Sequence, residues 1–180
     1  CPIIDFFAPE RAPKRNEVAS GPWNGLLYAH ALFFYLCIGI LLWRANVDGF
    51  GLPAILGALS VGIVGGISGI INAHESGHRK KGSMAWRMAR INMFLVLYSH
   101  FTTEHNNSHH KNYATELDAA SSPAGRGLWT QILTTVPRQY KSAWRTHVRK
   151  GRSGIKNPIL HSTILQVIFL AVLYSISDSM

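Results

Sequence analysis

Three apolar runs decide what this chain can fold into. Trp23 to Arg44 is apolar except for Asn24 and His30 and has tryptophans, Trp23 and Trp43, at both ends; Phe50 to Ala73 and Pro158 to Ser177 are equally free of charge. Each meets the ~20 residues that a helix needs to cross a bilayer. Inside a bilayer only a helix or a closed barrel satisfies every backbone polar group, and runs of this length are helical. The bulk composition, 47% hydrophobic with a mean hydropathy of +0.09, would pass for that of a soluble protein. Its distribution does not. The expected fold class is all-α, a single polytopic membrane domain over residues 1–180 with transmembrane helices at 23–44, 50–73 and 158–177.

Charge orients those helices. Fourteen of the 18 Lys and Arg lie between Arg79 and Lys156, in the region 74–157 between the second and third runs. Cations concentrate in cytosolic loops, so this region belongs on the cytosolic side. Ile91 to Tyr98 is apolar but too short to cross ~30 Å of hydrocarbon as a helix, so everything from 74 to 157 stays on one face. The net charge of +9 is explained by that flanking role, and nucleic acid is not an expected partner. Residues 1–22, with four prolines and Arg11, Lys14 and Arg15, read as an irregular basic lead-in. After Ser121-Ser122-Pro123-Ala124-Gly125, the residues Trp129, Ile132, Val136, Tyr140, Trp144 and Val148 recur every three or four positions with Arg138, Lys141, Arg145 and Arg149 on other faces. That is the pattern of an amphipathic helix lying at the membrane surface, with a kink expected at Pro137. The two cysteines, Cys1 and Cys37, form neither a disulfide framework nor a metal motif.

Five of the nine histidines fall in two short boxes in that cytosolic region: His74-Glu75-Ser76-Gly77-His78 and Glu104-His105-Asn106-Asn107-Ser108-His109-His110. Neutral imidazole is the commonest nitrogen ligand for transition metals. His74 and His78, like His105 and His109, are four apart and share a helix face. On an α-helix His110 sits about 100° round from His109, which favours two ions side by side over one. An all-imidazole site adds no negative charge and suits a redox-active iron pair that must oxidise a greasy substrate. Three other readings stand beside it: solvated histidines, a zinc protease in which His74-Glu75-Ser76-Gly77-His78 serves as HExxH, and a metal-binding module without catalysis. A catalytic zinc needs about one further ligand, and the second box offers three histidines, too many for a single ion that must keep a position open for water. His100 lies about half a turn from His109 and reads as a packing or substrate-facing residue. His30 and His161 sit inside their spans as hydrogen-bonded neutral groups, and His147 belongs to the solvated basic face.

The two boxes, with Arg79-Lys80 after the first and Ala114-Thr115-Glu116-Leu117-Asp118 after the second, resemble the first two histidine boxes of integral-membrane alkane 1-monooxygenases (alkane hydroxylases). These belong to the histidine-box superfamily that includes membrane fatty-acid desaturases and xylene monooxygenases. The departures are Ser108 in place of the family's usual glycine, and Glu116 and Ala119 in place of prolines. The resemblance implies a non-haem di-iron enzyme of the bacterial inner membrane that hydroxylates the terminal carbon of an alkane with O2. It implies electrons passed from NAD(P)H through rubredoxin reductase and rubredoxin. The basic run from Arg138 to Lys156 reads first as lipid-facing charge and second as a dock for such an acidic carrier. It carries over His74, His78, His105, His109 and His110 as ligands of two iron ions, with Glu75 and Glu104 orienting them from behind. A desaturase or aryl-methyl hydroxylase would share the boxes. The chain starts at Cys1 and carries no third histidine region, so it reads as a central fragment, truncated at both ends and inactive alone.

Overall fold

The structure is a computed structural model that describes residues 21–49 and 51–178, with side chains described for 24–49 and 51–175. The lead-in at 1–20 lies outside the described residues. Among the described residues all regular structure is helical. Helix α1 (Gly21–Asp48) begins ahead of Trp23 and takes in Gly21 and Pro22, which the proline content assigns to the lead-in; proline is well suited to a first helical turn because its missing N–H has no partner there anyway. Helix α2 (Leu52–Gly77) follows a tight connection and runs back antiparallel to α1. Both, and Pro158–Ser175 in the last helix, are long and apolar enough to cross a membrane. Their outward faces are apolar and exposed, Leu32, Phe33, Leu36 and Ile40 on α1 and Leu56, Leu59, Ile63 and Ile67 on α2. Such a surface is stable only in hydrocarbon.

What holds α1 to α2 is a small-residue stripe and two polar clasps. Gly65 and Gly69 let the Phe34 ring lie close on the α2 backbone, where a Cβ on Gly69 would meet ring atoms at 3.0 and 3.2 Å. Phe34 is buried as a result. Asn72 donates to the Leu27 carbonyl at 2.6 Å, and His30 Nδ1 lies 3.2 Å from Ser68 Oγ. In an apolar medium each such bond removes the cost of an unpaired polar group. Of the other glycines of α2, Gly57 meets Leu41 and Gly77 meets Thr102, while Gly62 and Gly66 face open space.

Helix α3 (Met84–Leu95) starts at Ser83, whose hydroxyl accepts from the Trp86 N–H at 3.3 Å, and packs its Ala85, Met88, Ala89, Asn92 and Met93 face against the inner end of α2. Asn92 donates to the Gly69 carbonyl. The apolar segment Ile91 to Tyr98 does not continue as a helix. It turns at Leu97, which takes a left-handed conformation (φ 57°). Tyr98 N–H bonds the Met93 carbonyl at 2.7 Å and Leu97 N–H bonds the Phe94 carbonyl at 3.1 Å. These are the paired bonds of a Schellman cap, with leucine where glycine usually stands.

Helix α4 (residues 101–112) carries the second box, and α5 (Leu128–Arg149) crosses over it. Helix α5 runs as one helical segment through Pro137. Its protein-facing side is Gln139, Ala143 and Thr146, while Trp129 and Leu133 are about three-quarters exposed. Trp129 and Leu133 therefore lie on the outward face, small and polar residues face the protein, and Tyr140 is half-buried against His100. His147 departs from the solvated position expected of it. It is half-buried, with Nε2 3.4 Å from Thr103 Oγ1, and burial together with Lys150 and Arg152 lowers its pKa. Asn157 is fully buried; it accepts from the Ile159 N–H at 3.0 Å and donates to the Trp144 carbonyl, starting α6 (Pro158–Asp178) and tying it to α5.

Candidate metal centre

Both histidine-bearing helices depart from α geometry next to their histidines. In α2 the segment Gly65–Ile71 is π-helical, and the α-helical turn Asn72–Gly77 that follows carries His74. In α4 the box itself, His105–His109, is π-helical. A π-turn bonds i to i+5, so residues five apart come onto one face, and such turns gather at functional sites.

That geometry changes the partners expected from α-helical spacing. His105 Nε2 lies 3.1 Å from His110 Nε2 and 3.3 Å from His78 Nε2. The α-based expectation pairs His105 with His109 and sets His110 aside; the π-turn instead brings His110 to His105. His74 completes the group: its ring centre is 4.4 Å from that of His105, and one ring nitrogen from each of His74, His78 and His105 fits within 4.8 Å of the others. The His109 ring stacks near His105 at 5.1 Å, and its Nδ1 turns to Asp118 Oδ2 at 2.9 Å. All five box histidines thus lie in one cluster. His105 is at its buried centre, and His74, His78 and His110 are on its exposed side.

The donor set fits a cation. Each ring nitrogen has one in-plane position, occupied by a proton or a lone pair, so three nitrogens this close cannot satisfy one another with hydrogen bonds. Two imidazole nitrogens bound at right angles to one ion at ~2.1 Å would stand about 3 Å apart, close to the separations seen here. The lone pairs are also free. Burial, followed by the surrounding His74, His110, His109 and His78, pushes the His105 pKa down to about 3, and burial with His74 and His110 lowers that of His78.

The carboxylates divide. Glu75 is exposed and reaches Arg79 at 3.5 Å, acting on His78 only through its charge. Glu104 is almost wholly buried and neither of its oxygens reaches hydrogen-bonding geometry. Burial first, and then Asp118, raises its pKa; His109 and the Ser108 and Ser142 hydroxyls offset part of the rise. Asp118, to which the sequence pattern assigns no role, accepts from His109, Ser121 and the Ala120 N–H, and these bonds hold its pKa down against burial. His100 points away from the cluster into an aromatic pocket, its ring edge-on to Tyr98 and Tyr140 at 4.6 and 5.3 Å.

Apolar side chains support the imidazoles from the membrane side. Phe101 stacks on His105 at 5.0 Å and belongs to a cluster with Ala73, Ala89, Met93, Ile70, Val96 and Tyr98.

A membrane-length helix that carries one histidine box at its end, with a second box on a short helix converging on it, defines a histidine-box membrane protein. Residues 50–177 match the fatty acid desaturase family, and the chain belongs to it. Within that relationship it is 34% identical to alkane 1-monooxygenase 1 of Alcanivorax borkumensis over 82% of this chain and 38% of that protein. It is 37% identical to an alkane 1-monooxygenase of Ectopseudomonas oleovorans over 66% of the chain and 31% of that protein, and 30% identical to one of Pseudomonas putida over 94% and 43%. The chain therefore spans less than half the length of the curated relatives it matches.

Proposed function

We propose that this chain is the two-box portion of a non-haem di-iron membrane monooxygenase that hydroxylates the terminal carbon of alkanes. The observation that carries the reading is the convergence of His74 and His78 from the end of the apolar helix α2 with His105, His109 and His110 from the short helix α4, in a chain whose matched relatives are alkane 1-monooxygenases. These five residues would hold iron, which supplies activation of O2 for attack on an unactivated C–H bond. The protein's own residues do the rest. Neutral imidazoles leave the positive charge of the site undiminished, which favours a strongly oxidising centre. The apolar cluster around Phe101 and Met93 gives a hydrocarbon a dry approach from the bilayer. Glu75 beside His78 and Glu104 beside His109 bias those imidazoles electrostatically.

The cations between Gly77 and Pro158 support a site on the cytosolic side, and the bacterial relatives support a bacterial inner membrane. A cleft of about 920 Å³, lined by Arg138, Lys141, Arg145 and Arg149 as well as Glu116, opens beside the second box and suits an acidic carrier such as rubredoxin bringing electrons from NAD(P)H. The test is product analysis with the complete protein, a reductase, rubredoxin and O2. Dodecane is expected to yield 1-dodecanol by gas chromatography, with turnover falling steeply as salt is raised. Product only from a fatty acyl lipid or from xylene would replace the reading with a desaturase or an aryl-methyl hydroxylase.

A further inference from the structure

Asp118 stands nine residues past His109, beyond the end of α4, in a loop with no periodic pattern. Its side chain is fully buried. One carboxylate oxygen accepts from His109 Nδ1 at 2.9 Å and from Ser121 Oγ at 2.5 Å; the other accepts from the Ala120 N–H at 2.9 Å. The loop is itself fastened to α5, by Thr135 Oγ1 to the Ala119 carbonyl at 2.5 Å, Gln131 to the Ala120 carbonyl at 3.2 Å and Arg138 to the Glu116 carbonyl at 3.3 Å. A carboxylate held this way cannot turn aside. An ionised carboxylate only accepts, so the His109 proton resides on Nδ1 and its Nε2 keeps a lone pair.

We infer that Asp118 is a positioning residue of the metal centre, fixing the tautomer and ring plane of His109 so that Nε2 is the nitrogen offered to an ion. This rests on the metal-site reading above. It also draws α5 into the site, since three of its side chains set the loop that sets the imidazole.

Substitution separates this role from mere anchoring of the loop. Asp118→Asn keeps an oxygen for the Ala120 N–H and places an NH2 against His109 Nδ1. That donor drives the imidazole proton to Nε2 and blocks its lone pair. Asp118→Ala loses more of the loop's bonds but leaves the imidazole free to choose its tautomer. Ser121→Ala removes a loop bond without touching His109. The readout is Co2+ affinity of the metal-free complete protein in detergent, from the visible absorption of the bound ion, with thermal unfolding of each variant alongside.

Asp118→Asn is expected to weaken Co2+ binding 10- to 100-fold, the range typical of such outer partners. Asp118→Ala is expected to weaken it less, Ser121→Ala to leave it near wild type, and Asp118→Asn to add nothing in a His109→Ala background. A wild-type affinity in Asp118→Asn would overturn the inference. So would alanine proving worse than asparagine, or an equal loss with His109 already removed, since both mark a structural anchor. A wild-type protein that binds no metal would instead overturn the metal-site reading, and this inference with it.

Discussion

His100 and His105 stand five residues apart, and the difference between them is what the site consists of. His105 gathers four other imidazoles around it, whereas His100 is 6% exposed between Tyr98 and Tyr140 with Nε2 unpartnered. Burial lowers the His100 pKa from 6.5 to about 4. A base whose folded pKa is depressed is protonated first in the unfolded chain. Its full contribution is therefore present above pH 6.5 and is lost as the pH falls toward 4. The shift corresponds to a loss of about 3 kcal/mol across that window. His100→Phe keeps the aromatic packing and cannot titrate. Denaturation in micelles is expected to show the variant gaining about that much on the wild type between pH 7.5 and pH 4; parallel curves would show His100 to be protonated or solvated in the fold. His105→Ala is expected to abolish most iron uptake and His100→Phe to spare it, as elemental analysis of the complete protein would measure. The five clustered histidines were legible because they crowd two boxes. Their pairing was not, because α-helical counting puts His105 with His109, and a single π-turn puts it with His110. Asp118 entered only as the last residue of the segment after the second box; its contact with His109 was invisible because the turn and loop beyond α4 carry no periodicity from which it could be read.

At the scale of elements, α2 does two jobs with one stretch of chain, packing through Gly65 and Gly69 and presenting His74 and His78 at its end. Gly69→Ala would put a methyl group 3.0 to 3.3 Å from the rigid Phe34 ring and from Val96. It is expected to cost about 1–3 kcal/mol, as overpacking does. Gly66→Ala, three residues away with nothing within 4 Å, is expected to be neutral or to gain up to about 1 kcal/mol from better helix propensity. Unfolding of the two variants in mixed micelles measures the contrast, and equal effects would mean that α1 does not pack on the Gly69 face. Which glycines of α2 meet α1 was not legible, since that depends on where Phe34 lies on α1. The end of α3 was legible only as an apolar run too short to span. Its Schellman cap gave no sequence signal because leucine holds the position where glycine would have marked it.

For the whole molecule, the arrangement requires an even number of crossings between the two boxes, and the structure has none. Helix α2 ends at Gly77, α3 turns back at Leu97, and the next helix able to cross a membrane begins at Pro158. His78 and His105 therefore meet on one side, together with fourteen of the 18 cations. The apolar runs made this much readable from composition along the chain. What they could not show is that α3, α4 and α5 form a layer lying over the inner end of α2, because beside its apolar contacts that layer is fastened by isolated polar residues, Asn92 to the Gly69 carbonyl and Tyr98 to Gln139, which carry no periodic signal. A chain of this topology labels asymmetrically. With both Cys1 and Cys37 replaced, single cysteines at Lys81, Lys111 and Ile155 are expected to react with a membrane-impermeant maleimide only in inverted vesicles, and one at Gly49 only in intact spheroplasts. Opposite labelling of Lys81 and Lys111 would place a membrane crossing between the boxes and end the shared site. Joint reversal of all four would keep the site and move it to the outer face, away from the cytosolic supply of NAD(P)H-derived electrons.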